Sequence, residues 1–154
     1  MAQVLIIDED CSTMDNWYSY SSLYYNVTDV PGKLTMKGTG PVGYQYASHT
    51  SVPLVAGDDY IFEYDLSDNF TGGIFVVLGG EGVGSLYNIS SQGTGWHQVY
   101  LIADDTYAVM KLRVNGPPGT TLGRLDWMKL YHVPAGKKVL VNNRPIVNLI
   151  NKGL

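Results

Sequence analysis

The sequence predicts an all-β protein folded as an antiparallel β-sandwich. The composition favours strands and turns over helices, because 18 glycines and 12 tyrosines accompany only 3 phenylalanines. Short apolar runs with a period of two residues recur along the chain, and most are bounded by Gly or Pro. No stretch has the 3.6-residue period of an amphipathic helix. With 154 residues, the chain suits a single sandwich domain.

The clearest predicted strand covers residues 60–67. Tyr60, Phe62, Tyr64 and Leu66 fall on one face of an extended chain, so we expect these side chains to face the core. The run at 74–78 is apolar throughout, which predicts a central strand covered on both faces. The other predicted strands are residues 4–7, 33–37, 44–46, 100–102, 108–114 and 125–131.

The character of the chain changes after residue 133. Two β-prone runs, 137–141 and 144–150, are separated by Asn142 and Asn143, which predicts a two-residue hairpin. An isolated hairpin is marginally stable in water, so we expect it to dock on another surface. We therefore divide the chain into a sandwich module, 1–133, and a C-terminal arm, 134–154. The arm residues expected to make contacts are Lys137, Lys138, Val139, Val141, Arg144, Ile146, Leu149 and Ile150.

Charge is distributed unevenly between the module and the arm. The formal net charge of −4 argues against sequence-independent binding of nucleic acid. No acidic residue follows Asp126, whereas the arm holds four basic residues, so charge complementarity could orient the arm on a module. The first residues do not resemble a secretory signal, and the single Cys11 cannot form an internal disulfide. We therefore expect a protein of the reducing cytoplasm with no membrane partner.

Three passages of the module carry a family resemblance. Residues 52–67 contain Ala56-Gly57-Asp58-Asp59-Tyr60 followed by an alternating strand, and residues 95–99 contain a Trp-x-x-Val pattern. Residues 107–114 and 125–131 have the pattern of two closing strands. Together these passages resemble the jelly-roll carbohydrate-binding modules of the family 4/9/22 type, within the galactose-binding-like sandwiches. The resemblance implies a jelly-roll fold for residues 1–133.

The resemblance also implies a structural Ca²⁺ between the first and last strands. Asp8, Asp10 and Asp126, with Glu9 beside them, occupy the corresponding places, and carboxylate oxygens are the ligands that Ca²⁺ prefers. One acid that is usual in the family is replaced by Trp127. The alternative is that these acids lie in solvent at the ends of strands.

Sugar binding requires aromatic rings that stack on the C–H faces of the sugar. Tyr44, Tyr46, Trp17 and Trp127 are the candidate rings. We favour Tyr44 and Tyr46, because both fall on one face of a short predicted strand. The alternative is that these rings fill the core of a tyrosine-rich sandwich.

The sequence contains no convincing catalytic constellation. His49, His97 and His132 are scattered and lack the spacing of metal ligands. The paired acids fall in predicted turns, and neither a nucleophile elbow nor a phosphate-binding loop is present. We therefore expect a protein that is not an enzyme.

The arm suggests a role in assembly. Residues 139–153 resemble short hairpin segments of structural proteins from tailed bacteriophages. We therefore expect a non-enzymatic virion structural protein, either a capsid decoration or a tail component, assembled in the host cytoplasm. Its partners would be other virion subunits, including copies of itself. The alternative function is a carbohydrate-binding adhesin module that recognises host glycans.

Overall fold

A computed structural model describes residues 3–19, 23–40, 45–49, 53–70, 73–79, 85–103, 109–134, 140–141 and 144–145. Those up to residue 133 form two antiparallel sheets that pack face to face, so the predicted all-β sandwich is confirmed. A short 3-10 helix, Ile89–Gln92, is the single helical segment in these ranges. The strands in chain order are β1 (Val4–Glu9), β2 (Trp17–Ser19), β3 (Tyr25–Asn26), β4 (Leu34–Lys37), β5 (Gln45–His49), β6 (Asp59–Asn69), β7 (Gly73–Leu78), β8 (Ser85–Asn88), β9 (Gly95–Ile102), β10 (Met110–Asn115), β11 (Thr121–Val133), β12 (Leu140–Val141) and β13 (Arg144–Pro145).

The larger sheet, here called the back sheet, has the order β3-β4-β11-β6-β9. Its longest strand, β11, pairs with β6 along one edge. The other edge of β11 is shared, because β4 pairs with residues 121–125 and β1 with residues 128–132. The first strand of the chain therefore lies beside the end of β11, as the resemblance implies.

The second sheet, here called the front sheet, has the order β2-β5-β10-β7-β8. Its central strand, β10, lies between β5 and β7 in antiparallel register. Residues from distant parts of the sequence thus become direct neighbours on this sheet.

The core lies between the two sheets. Tyr60, Phe62, Tyr64 and Leu66 of β6 are at most 1% exposed, which confirms the face predicted for this strand. Across the core, the Tyr25 hydroxyl of the back sheet lies within 3.0 Å of main-chain carbonyl oxygens in β5 and β10. This contact links the two sheets through a buried phenol.

Several strands differ in extent from the prediction. β9 begins at Gly95, whereas alternation predicted a strand only from residue 100. The early part was missed because His97 occupies an inward position and interrupts the apolar alternation. The His97 ring packs 5.3 Å from that of Tyr64. β11 begins at Thr121 rather than at residue 125, and register shifts near Gly123 and Asp126 disturb its period. β2, β3 and β8 contain two to four residues each, too few for a pattern to be recognised.

In the arm, β12 and β13 pair as antiparallel strands, with residues 142 and 143 between them. This pairing agrees with the hairpin predicted there. Six of the arm residues expected to make contacts lie outside the described residues, namely Lys137, Lys138, Val139, Ile146, Leu149 and Ile150. The division at residue 133 stays a prediction. No helix in the described part of the chain is long and apolar enough to cross a membrane.

Candidate functional site

The outward surface of the front sheet, here called the front face, carries both aromatic and cationic side chains. In β10, Met110, Leu112 and Val114 are buried, so the alternation of the strand turns Lys111 and Arg113 outward. The same rule applies to the strands on either side of β10. The residues that face outward and define the front face are Tyr18, Tyr46, Ser48, Phe75, Val77, Leu86, Asn88, Lys111 and Arg113.

One row of the front face runs directly across four strands. Arg113 lies opposite Tyr46 on one side and opposite Phe75 on the other, and Phe75 lies opposite Asn88. Adjacent strands are about 4.8 Å apart, so Tyr46 and Phe75 are separated by about 10 Å with the arginine between them. This row places two rings and a guanidinium group on one partly exposed surface.

The two cations of the front face contact its aromatic rings. The Arg113 guanidinium carbon lies 5.1 Å from the centroid of Phe75, and Lys111 Nζ lies 5.6 Å from the centroid of Tyr46. A cation over the negative face of a ring is attracted by the ring quadrupole. These contacts keep both positive charges on the sheet surface.

A second row of the front face has exposed side chains at its two ends. Lys111 lies opposite Ser48, which in turn lies opposite Tyr18, and on its other side Lys111 lies opposite the buried Val77. Tyr18 is 61% exposed and Leu86, at the other end of the row, is 47% exposed. The face therefore offers an accessible ring at its β2 edge.

Acidic residues divide sharply between the sheets. The strands of the front sheet contain no Asp or Glu. The acidic residues within the strands that the structure describes all belong to the back sheet, namely Asp8, Glu9, Asp59, Glu63, Asp65, Asp68 and Asp126. The described strands of the front sheet thus carry Lys111 and Arg113 without a carboxylate, on a chain whose net charge is −4.

The four rings predicted for sugar binding lie in different parts of the chain's structure or outside the described residues. Tyr46 lies on the front face, whereas Tyr44 lies outside the described residues. The structure corrects the prediction for Trp17, which is 8% exposed and packs edge-on against His49 at 5.1 Å in the core. Trp127 faces outward from the back sheet, where Lys129 Nζ lies 5.9 Å from its ring. Trp127 and Tyr46 therefore belong to opposite surfaces.

Sequence reasoning singled out Tyr46 and missed the other members of the front face, among them Phe75, Tyr18 and Arg113. Phe75 stands within a continuous apolar run that gives no sign of which face it occupies. Tyr18 follows a tryptophan in a Tyr-rich and Ser-rich segment without clear alternation. Alternation in the sequence shows that Arg113 faces outward from its strand. The ring that it contacts, Phe75, comes from a different strand. Strand pairing alone reveals the cluster.

The acids predicted to bind calcium do not converge. Asp126 Oδ1 lies 2.7 Å from Lys33 Nζ, and Asp8 Oδ1 lies 3.7 Å from Lys129 Nζ. Asp10 accepts a hydrogen bond from the Ser12 main chain. Among the described residues, no group of three or more acidic, histidine or cysteine side chains could hold a metal ion. This arrangement does not fit a calcium site, because lysine ammonium groups face two of the three carboxylates.

Glu9 differs from its acidic neighbours because it is buried. Its carboxylate lies 3.4 Å from His49 Nε2, and it also accepts hydrogen bonds from the Asn16 side chain and the Cys11 main chain. Burial, together with the charge of Glu9, raises the pKa of the Cys11 thiol to about 12. A thiol in this state is a poor nucleophile.

The other two histidines occupy separate environments. His97 Nε2 lies 3.1 Å from the Gly93 carbonyl oxygen, and His132 Nε2 lies 2.7 Å from Asp58 Oδ2. Neither lies on the front face, because β9 and β11 belong to the back sheet. The histidines of the described chain therefore do not form a shared site.

Comparison with known proteins identifies the fold. No family model and no curated protein matches the chain. The structure is similar to the second N-terminal cellulose-binding domain of β-1,4-glucanase C from Cellulomonas fimi, with a TM-score of 0.54 and 12% identity over 86% of this chain and 96% of that one.

Weaker similarity extends to two further modules. One is the C-terminal family 6 carbohydrate-binding module of a laminarinase from Zobellia galactanivorans, with a TM-score of 0.47 and 12% identity over 82% of this chain and 98% of that one. The other is a carbohydrate-binding module of lichenase 5A from Cellvibrio mixtus, with a TM-score of 0.47 and 13% identity over 85% of this chain and 98% of that one. The chain has the β-sandwich fold of carbohydrate-binding modules, as the resemblance in its sequence implies.

Proposed function

We propose that this chain is a non-catalytic carbohydrate-binding module and that its front face is the binding surface. The observation that carries the proposal is the row of Tyr46, Arg113 and Phe75 across three adjacent strands. Rings supply stacking surfaces for the C–H groups of a sugar, and the neighbouring polar groups supply hydrogen bonds to its hydroxyls.

The fold supports the same proposal. The solved domain with the highest TM-score given above is named for cellulose binding, and the two weaker neighbours are named as carbohydrate-binding modules. Because one sandwich fold serves many functions, the fold alone does not identify a ligand. The side chains of the front face provide the argument specific to this chain.

The proposal is tested by affinity electrophoresis of the full chain through gels that contain neutral or acidic polysaccharides. We expect retardation by at least one polysaccharide. Substitution Tyr46→Ala should weaken that binding by about fivefold, because a stacked ring contributes on the order of 1 kcal/mol. Phe75→Ala should weaken it in the same direction.

The outward rings of the back sheet provide matched controls. Trp96 is 56% exposed, and Trp96→Ala should leave binding unchanged. The same result is expected for Trp127→Ala. If the two tryptophan variants lose binding while Tyr46→Ala retains it, the site lies on the back sheet and the proposal fails.

The more specific prediction, attachment to a virion through the arm, rests on the sequence of the arm. An arm with four basic residues would be attracted to the back sheet, which carries the acidic residues of the strands. Attachment there would leave the front face open for a glycan, so the adhesin and virion roles are compatible.

A further inference from the structure

We propose that the glycan bound on the front face is an acidic one, a polysaccharide that carries carboxylate groups on its sugar rings. This inference rests on the proposed function and names its ligand class. It follows from the position of two cations at the centre of the aromatic surface, on β10.

The charge distribution separates this surface from the rest of the chain. Four other basic residues of the described chain each lie close to a carboxylate, in the pairs Lys33 with Asp126, Lys37 with Asp29, Arg124 with Asp68 and Lys129 with Asp8. Lys111 has no described carboxylate within ion-pair distance, and its ammonium group lies over the Tyr46 ring. The strands that surround it contain no acidic residue. The described strands of the front sheet therefore carry two cations and no carboxylate.

The spacing of the two charges favours an anion between or above them. Lys111 and Arg113 are two residues apart on the same side of one strand, about 7 Å along its axis. Like charges at this distance repel each other, and a bound anion would be attracted by both. A carboxylate also matches the planar fork of donors that a guanidinium presents.

The rings explain why the anion would be carried by a sugar. Tyr46 and Phe75 flank Arg113 in the same row, and the exposed Tyr18 lies at the end of the adjacent row. A sugar ring stacked on one of these side chains would bring a carboxylate on its own carbon frame within reach of Lys111 or Arg113. Neutral sugars would use the rings and accept hydrogen bonds from the two cations, but only a sugar that carries a carboxylate would add the attraction between opposite charges.

A single-stranded nucleic acid also combines stacking rings with negative charge, and it is the main competing ligand. Such binding relies on many cations that follow the phosphate backbone. The front face has two cations in its described strands, and the whole chain has a net charge of −4. These observations favour the acidic polysaccharide.

The test compares polymers that differ only in charge. Full-length protein is titrated with polygalacturonate, alginate and hyaluronan, and with the methyl-esterified or carboxyl-reduced form of each. Neutral β-glucan, xylan and mannan and a single-stranded oligonucleotide complete the panel. We expect at least one carboxylated polymer to bind about tenfold more tightly than its uncharged form, with affinity that falls as salt is raised.

Substitution identifies the groups responsible. Lys111→Gln combined with Arg113→Gln should remove the preference for the charged form, whereas Lys129→Gln, on the back sheet, should preserve it. Thermal unfolding establishes that each variant is folded. If the double variant is unstable, Lys111→Gln alone replaces it in the test. This variant keeps Arg113 in place and should reduce the preference for the charged form.

The outcomes distinguish this inference from the proposed function. Equal or tighter binding of neutral polysaccharides at the front face would overturn the inference and leave the proposed function intact. Binding of no polysaccharide in the panel would overturn both. Tighter binding of the oligonucleotide than of every glycan would replace the acidic polysaccharide with a nucleic acid.

Discussion

Glu9 and His49 form a buried contact between the two sheets, with Glu9 Oε2 3.4 Å from His49 Nε2 and both side chains at most 5% exposed. Glu9 ends β1 in the back sheet, and His49 ends β5 in the front sheet. Burial acts to raise the pKa of Glu9, but hydrogen bonds from His49, Asn16 and Cys11 and the charge of His49 together hold it below its usual value of 4.5. The ionised form of Glu9 is therefore stabilised by folding.

This pKa shift predicts how stability depends on pH. A carboxyl group whose pKa is lower in the folded state stabilises the fold above its unfolded pKa, and this contribution is lost as pH falls through the folded value. Glu9→Gln should therefore lower the free energy of unfolding by about 1–3 kcal/mol at neutral pH. The difference from the original chain should shrink below about pH 4.5.

Chemical denaturation at a series of pH values measures this difference. Asp15→Asn is a suitable control, because Asp15 is an exposed carboxylate close by in the sequence. Its effect should be small at every pH. A constant difference between Glu9→Gln and the original chain down to acidic pH would contradict the prediction.

Adjacent residues Trp17 and Tyr18 should respond in opposite ways to substitution. Trp17 faces the core and is 8% exposed, so Trp17→Ala should destabilise the fold by about 3–5 kcal/mol. Tyr18 faces outward and is 61% exposed, so Tyr18→Ala should cost less than about 1 kcal/mol and weaken glycan binding. Thermal unfolding and affinity electrophoresis of the two variants measure these effects. Loss of stability in Tyr18→Ala would assign that ring to the fold.

Removal of residues 134–154 tests the role predicted for the arm. We expect the full chain to self-associate in a salt-sensitive manner and the 1–133 chain to be a folded monomer, because the arm is basic and the back sheet is acidic. Light scattering at moderate and high salt measures the masses. Glycan binding should survive the deletion, since the front face lies within residues 1–133. A full chain that is monomeric at both salt concentrations would argue against assembly through the arm.

Calcium should have little effect on this protein. Calcium binding at Asp126 would require Lys33 to leave a carboxylate oxygen that lies 2.7 Å from its ammonium group. We therefore expect the same Tm with a chelator and with added calcium. A saturable rise in Tm with calcium, lost in Asp126→Asn, would show that the carboxylates rearrange into the site that the resemblance implies.

Alternation of apolar and polar residues was enough to predict the strands that supply most of the core. In β6 the period is clear because the inward side chains are all large and mainly apolar, namely Tyr60, Phe62, Tyr64 and Leu66. It was insufficient for β9, where the inward His97 breaks the pattern, and for β2, which is three residues long. Trp17 was misplaced for this reason, because a short strand gives no period from which to decide its face.

The sequence by itself determined the class of fold, the inward face of β6 and the excess of negative charge on the module. Those properties depend on residues close together in the chain, where the two-residue period of a strand operates. Tertiary structure alone decided that Tyr46, Phe75 and Arg113 are neighbours, because strand order brings residues from three distant segments into one row. It also decided that the acidic residues of the described strands gather on one sheet, while the strands of the other carry Lys111 and Arg113. Local pattern specifies which way a side chain points, but the pairing of strands specifies what lies beside it.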